Sequence, residues 1–325
     1  MLTARTDEIE YVEAEEATRG VAYVCRDCKV PVVLKKGDLR IAHFAHRPGA
    51  ACVFGARMSL AHLTAQRRIA DALRGRGVEA QLEAILSSLA GDRRVDVLAW
   101  PRARPAARVA VEVQASEITV EAIAARTLSY LTESVAPLWL RLYDFGRFDD
   151  VQALPHRGTV WIEGYRARAW ERWVHDQLGG RMWILDEQTG MAWRATFIPA
   201  HTYRELSTWY DPGGEEQWAG GDWREITQWV DLELEGPFGL SDIVLNRGRV
   251  VGADGRIRLA AWFVANGQPD RPGEACVRRR FERGHHGIPH RIMEVLVNDC
   301  WIPAVVEEAP AAWRSQGISV RPVNL

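Results

Sequence analysis

Two valine-rich segments, RRVDVLAW at 93–100 and RVAVEVQAS at 108–116, each carry an acid inside an apolar alternation: Asp96 in the first, Glu112 in the second. A carboxylate there is costly unless it binds something. If 94–100 and 109–115 are the arms of a hairpin turning near Arg104, mirror pairing brings Asp96 within one residue of both Glu112 and Gln114. Side chains alternate with period two, so Val95 and Val97 are expected on one face with Val109, Val111 and Val113, and Asp96, Glu112 and Gln114 on the other. Two carboxylates that close repel unless a cation or proton sits between them, and hard oxygen donors suit Mg²⁺ or Mn²⁺. The alternative is two half-exposed acids on a solvated sheet face.

The flanks extend the pattern. Within 57–76, Leu60, Leu63, Ile69, Ala70 and Leu73 recur at helical spacing, and Gly75 and Gly77 end the run. VEAQLEAIL at 78–86 reads as a strand, Thr119 as the N-cap of a helix to about Glu133, and PLWLRLY at 137–143 as a buried strand. Helix, three strands, helix and strand in that order describe a mixed α/β layer, with the last helix crossing over to a parallel strand.

This order, with Asp and then Glu-x-Gln in the next strand, resembles the PD-(D/E)XK nuclease superfamily. The wording RVDVLAW, VAVEVQASEIT, Arg126 and Tyr130 resembles the competence protein CoiA family over about residues 20–145. The resemblance implies a nuclease-like core, a mixed sheet flanked by helices, acting on DNA by phosphodiester hydrolysis in DNA uptake, recombination or defence. It implies functional positions at His62, Glu83, Asp96, Glu112, Gln114, Ser116, Arg126 and Tyr130. Asp96 and Glu112 would hold the metal, which lowers the pKa of a bound water and neutralises charge on the scissile phosphate. Gln114 would position that water, Glu83 would be a further ligand directly or through water, and His62 would reach the phosphate or act as acid/base. Arg126 and Tyr130, four apart on one helix face, would brace the site or contact the DNA backbone. The superfamily's usual lysine is Gln114 here, and glutamine supplies no charge. The alternative is a catalytically weakened nuclease fold that binds DNA or a recombination or DNA-uptake partner.

Upstream, Cys25, Cys28, His43, His46 and Cys52 form a CxxC hook and a second His/Cys cluster about 15 residues on. CoiA-like proteins show a similar cysteine knuckle followed by HFAH. Thiolate with imidazole favours a closed, structural Zn²⁺ site. Five candidates compete for four places, with Cys25, Cys28 and Cys52 first and His46 favoured over His43, which could instead face the nuclease surface. The alternative is small buried thiols in a reducing compartment.

The organisation expected is a zinc knuckle over 1–56, a nuclease-like domain over 57–150 and a Trp-rich α+β domain over 151–325. Met1–Gly20 is acidic and lacks an apolar run, so it does not read as a secretory leader. No stretch reaches the ~18 apolar residues of a bilayer span, so a cytoplasmic location is expected. A net charge of −2 counts against a strong nonspecific nucleic-acid binder. A local basic stretch lies beside the acids, however: Arg57, Arg67, Arg68, Arg74 and Arg76 on the first helix, and Arg93, Arg94, Arg102, Arg104 and Arg108 around the hairpin. Arg67 and Arg68 are the candidates there for tracking phosphates.

The last half holds twelve of the fourteen tryptophans, expected mostly in core. A helix is expected at 165–178, a strand pair around the turn DEQTG at 181–198, strands at 242–251 and 257–265, turns at NRGR (246–249) and ADG, a flexible loop or linker at 211–221 and a short helix from Gly287 to Asn298. Two weaker readings fall late in the chain: a DNA- or phosphate-binding cluster from Arg278 to His290, and a second zinc site from Cys276, His285, His286, His290 and Cys300.

Overall fold

The computed structural model describes residues 1–52, 58–88, 91–147, 152–154, 159–252 and 255–265, and the backbone of the short strands at 277–283, 289–297, 300–303, 305–306 and 323–324. The chain opens with short strands β1 (Thr3–Ala4) and β2 (Val12–Glu13), followed by an antiparallel sheet of β3 (Tyr23–Val24), β4 (Pro31–Lys35) and β5 (His43–His46). Tyr23, Cys25, Val32, Phe44 and Cys52 form a small core of their own.

Helix α1 (Leu60–Gly75) is N-capped by the Ser59 side chain and ends where Gly77 takes φ +78°. Strands β6 (Val78–Leu86), β7 (Arg93–Pro101) and β8 (Val109–Gln114) follow as an antiparallel meander. Helix α2 (Val120–Thr132), capped by Thr119, then crosses to β9 (Ala136–Tyr143), which runs parallel to β8. The β7–β8 register is centred on Arg104, as the alternation of the two arms requires. Leu63, Ile69 and Leu73 of α1 bury one sheet face with Leu82, Val97, Val109, Val111 and Val113. Ile123 and Tyr130 of α2 bury the other with Ala84, Val95 and Ala110.

The sheet continues past residue 150. After β10 (Gln152–Leu154), β11 (Thr159–Tyr165) and helix α3 (Ala169–Gln177), strand β12 (Met182–Asp186) adds to β9 in parallel. Strand β13 (Ala192–Arg204) turns back from β12. A hairpin of β14 (Ser207–Tyr210) and β15 (Glu216–Ala219) leads into β16 (Asp222–Phe238), giving nine strands in the order β10-β11-β16-β13-β12-β9-β8-β7-β6. Strands β17 (Ile243–Val251) and β18 (Arg256–Ala265) form a further hairpin. Its Leu245, Leu259 and Phe263 join the α1-side core, and Val250, Ala260 and Trp262 the α2-side core. The molecule is thus mixed α/β, with one large mixed sheet and few helices. No described helix is long and apolar enough to cross a membrane.

Four expectations need correction. The stretch 211–221 is the tip and second arm of a hairpin rather than a linker, with Trp209 opposite Gln217. NRGR is no turn: Asn246 to Arg249 pair with Trp262 to Leu259 inside a ladder, and long-range pairing outweighs the local Gly signal. The expected helix from Gly287 is a strand at Pro289–Val297, paired on both edges. The expected helix at 165–178 is shorter, because Tyr165 still belongs to β11. Among the tryptophans, Trp170, Trp183 and Trp262 are buried, whereas Trp209, Trp218 and Trp229 are exposed.

Candidate metal centres and the buried acids

The first centre is built by the N-terminal sheet. Cys25 and Cys28 flank the turn after β3, His46 ends β5, and Cys52 lies in the segment that follows. The ligand atoms of all four lie within 4.8 Å of one another. Cys25 Sγ is 4.0 Å from Cys52 Sγ, and Cys28 Sγ 3.2 Å from His46 Nε2. Ligand atoms around a tetrahedral zinc stand roughly 3.4–3.8 Å apart, so this Cys₃His set fits such an ion with little movement. Burial pushes the Cys25 thiol up to about 12, and burial also holds the His46 ring below its usual value, leaving it in the neutral, ligating form. The cluster could therefore hold a metal such as zinc, which would reverse the penalty on the thiols. His43 lies outside it, with Nδ1 3.0 Å from the Ile41 carbonyl.

The acids sit where β7 and β8 part. Their pairing stops at Val97–Val111. Beyond that point the Asp96 carboxylate replaces a backbone partner, Oδ2 accepting from Val113 N–H at 2.8 Å. Alternation breaks here: Val95 joins the α2-side core and Val97 the α1-side core, contrary to the single face expected for both. Asp96 turns to α1, where His62 Nε2 lies 3.1 Å from Oδ2 and Gln66 Nε2 donates to Oδ1 at 2.5 Å. Burial alone would raise its carboxyl, but His62 outweighs that and holds it below the usual range. In return Asp96 raises the His62 ring against burial.

Glu112 turns to α2. Arg126 Nη2 donates to its Oε2 at 2.7 Å and Tyr130 Oη donates to Oε1, and the residue is 2% exposed. Burial, reinforced by Asp96, pushes its carboxyl up to about 7 against the pull of Arg126 and Tyr130. The two acids therefore share one electrostatic site while facing different helices. Asp96, Glu112, Glu83 and His62 do not form a ligand group as tight as the cysteine cluster among the described residues.

The other candidates are placed as follows. Gln114 Nε2 donates to the Ser116 carbonyl at 2.9 Å and to its Oγ at 3.3 Å. Glu83, in β6 with φ +48°, is 1% exposed. Its Oε2 accepts from Thr3 N–H (2.9 Å) and Thr3 Oγ1 (2.7 Å) and pairs with Arg94 at 2.5 Å. Arg67 is held by Glu13 at 2.7 Å and Asp71 at 3.3 Å. Arg68 is exposed, packed beside Gly190. Much of the expected basic stretch is likewise paired: Arg74 to Glu13, Arg94 to Asp27 and Glu83, and Arg102 to Glu79, while Arg57 lies outside the described residues. Of the late clusters, Cys276, His285 and His286 also lie outside them, as do the side chains of His290 and Cys300.

Three functional neighbours escaped sequence reasoning. Gln66 carried a usable signal, one helical turn after His62. Arg26 and Asp27 carried none: they lie between the first two cysteines, where Arg26 Nη1 bonds the Glu83 carbonyl at 3.0 Å and Asp27 pairs with Arg94 at 2.5 Å. The knuckle thus reaches directly onto β6 and β7.

The geometry defines a mixed α/β protein in which a Cys₃His knuckle that could hold a metal abuts a sheet carrying half-buried Asp96 and buried Glu112. Residues 6–55 match the family model described as "Competence protein CoiA, N-terminal domain", and 59–147 that described as "Competence protein CoiA, nuclease-like domain". Over these two regions the chain is CoiA-like, with a nuclease-like domain behind the knuckle. No curated protein matches it. A solved protein of unknown function, AF1548, is similar at 19% identity with a TM-score of 0.21, over 27% of this chain and 50% of that one, so the likeness spans half of that protein's length.

Proposed function

We propose that the chain is a divalent-metal-dependent DNA nuclease with a PD-(D/E)XK core, acting in DNA uptake, recombination or defence. The observation that carries this reading is half-buried Asp96 beside buried Glu112 at the parting of β7 and β8, where Asp96 raises the cost of charge on Glu112. A Mg²⁺ or Mn²⁺ ion would relieve that cost, activate a water and neutralise charge on a phosphate. Arg126, 29% exposed at its side chain, pairs with Glu112 and would have to release it for Asp96 and Glu112 to hold an ion; released, it could contact a phosphate. His62, whose charged form Asp96 favours, would donate a proton, and Gln114 would position the water once freed from Ser116.

A second reading is a nuclease fold with weakened chemistry that binds DNA or a recombination partner. It is favoured by Glu112 being closed in by Arg126 and Tyr130 and by a neutral Gln114. The test is cleavage of single- and double-stranded DNA with Mg²⁺ or Mn²⁺ by the wild type, Asp96→Ala and Glu112→Ala. The nuclease reading expects cutting by the wild type and none by either folded variant. A wild type that binds DNA and leaves it intact supports the second reading, and equal cutting by all three removes the acid site.

A further inference from the structure

A cavity of about 310 Å³ opens beside the ends of β8 and β9, lined by Arg141, Tyr143, Tyr165, Arg166, Arg168 and Trp229 among others. It exists because two neighbouring ladders slip. β11 shifts register against β16 between Ile162 and Tyr165, which pushes out Glu163 and Gly164. β13 shifts against β16 between Pro199 and His201, which leaves Trp229 on extra residues outside the ladder. Parallel strands β8, β9 and β12 all end toward this region, and ligands of parallel sheets gather at carboxyl ends.

The lining has the chemistry of a nucleotide site. Arg141 is 4% exposed and fixed: its Nε lies 2.8 Å from Glu171, Nη1 donates to the carbonyls of Gln114 and Ala115, and its Cζ lies 5.1 Å over the Tyr143 ring. It therefore ties the cavity to the strand that carries Glu112. Arg168 pairs with Glu117 through Nε at 3.1 Å, while its buried Nη1 has no hydrogen-bond partner among the described residues. Arg166 is exposed and makes no ion pair among the described residues, although Glu163 also lines the cavity. Trp229 is 39% exposed and lines the same cavity. Arginine forks beside a partly exposed indole match a phosphate with a base attached, and do not match a purely apolar guest.

We propose that this cavity is a nucleotide subsite, taking one phosphorylated nucleotide of single-stranded DNA with its phosphate on Arg166 and Arg168 and its base on Trp229. The proposal rests on the reading of the chain as a DNA-processing protein, and not on metal chemistry at Asp96 and Glu112. The subsite would fix a strand next to the acids whatever its sequence.

The test is fluorescence anisotropy of end-labelled (dT)12 without added divalent metal, competed by dTMP and by inorganic phosphate. The proteins are the wild type, Trp229→Ala, Arg166→Glu and, as a control at an exposed tryptophan outside the cavity lining, Trp218→Ala. Loss of one base stack predicts binding weaker by about 5- to 100-fold for Trp229→Ala. Arg166→Glu should weaken it similarly and flatten the salt dependence, and Trp218→Ala should bind as the wild type does. Competition by dTMP well below the concentration needed for phosphate shows that base and phosphate are read together. Wild-type affinity in both Trp229→Ala and Arg166→Glu, or no binding of (dT)12 by the wild type, overturns the subsite. Because DNA cutting is not read, that failure is distinct from failure of the nuclease assignment.

Discussion

Replacing Arg94 by methionine should cost this protein far more than a surface arginine would. The Arg94 side chain is 9% exposed and Glu83 1%, and their 2.5 Å contact sits under the knuckle, so solvent screens it little. Removing the guanidinium takes the largest charge partner from a buried carboxylate whose Oε1 has no hydrogen-bond partner among the described residues, leaving it Thr3, the Leu2 backbone N–H and the Met1 ammonium. Breaking one side of a buried pair costs about 3–5 kcal/mol. With a urea m-value of about 2 kcal/mol per molar, the unfolding midpoint falls by roughly 1.5–2.5 M. Asp27, the second partner of Arg94, is 17% exposed and adds less. Adding Glu83→Gln to Arg94→Met removes the stranded charge and should recover at least about half of the loss, a coupling that additive effects cannot give. Urea unfolding followed by tryptophan fluorescence and by far-UV circular dichroism measures all three variants. An Arg94→Met protein within about 1 kcal/mol of wild type refutes the argument, since a pair that cheap is not buried as described.

Two further outcomes are expected. Elemental analysis of purified protein should find about one zinc per chain, reduced by Cys28→Ser, and chelation should loosen the N-terminal module; a metal-free protein with that module fully folded contradicts the Cys₃His centre. Glu13 is held below its usual value of 4.5: burial would raise it, but bonds from Arg74 and Tyr11 and the charge of Arg67 outweigh burial. Its stabilisation is therefore complete above the unfolded value and disappears as pH falls through the lower folded one. Glu13→Gln should thus be less stable than wild type at neutral pH and converge on it in acid, and a stability difference independent of pH would exclude this ion cluster.

Much of the first 147 residues was readable, because strong local signals and long-range packing agree there. Thr119 and Gly77 mark helix ends, and valine alternation marks β7 and β8. The site was readable in composition and not in aim. Nothing in RRVDVLAW says that the ladder ends at Val97, so that Asp96 turns to α1 and Glu112 to α2. The positive φ of Glu83 was equally invisible, since an αL glutamate in a strand is imposed by Thr3, Arg26 and Arg94 from outside its neighbourhood. Beyond residue 150, signals competed. PHRIMEVLV carries apolar residues at both helical and strand spacing, and pairing with neighbouring strands decides it.

Whether Asp96 and Glu112 together receive a divalent ion is read from a crystal structure with Mn²⁺ by anomalous scattering. A peak bonded to an oxygen of each acid is expected, with Arg126 withdrawn from Glu112. Full Mn²⁺ exposure that leaves the Arg126–Glu112 pair intact and no peak between the acids would contradict it.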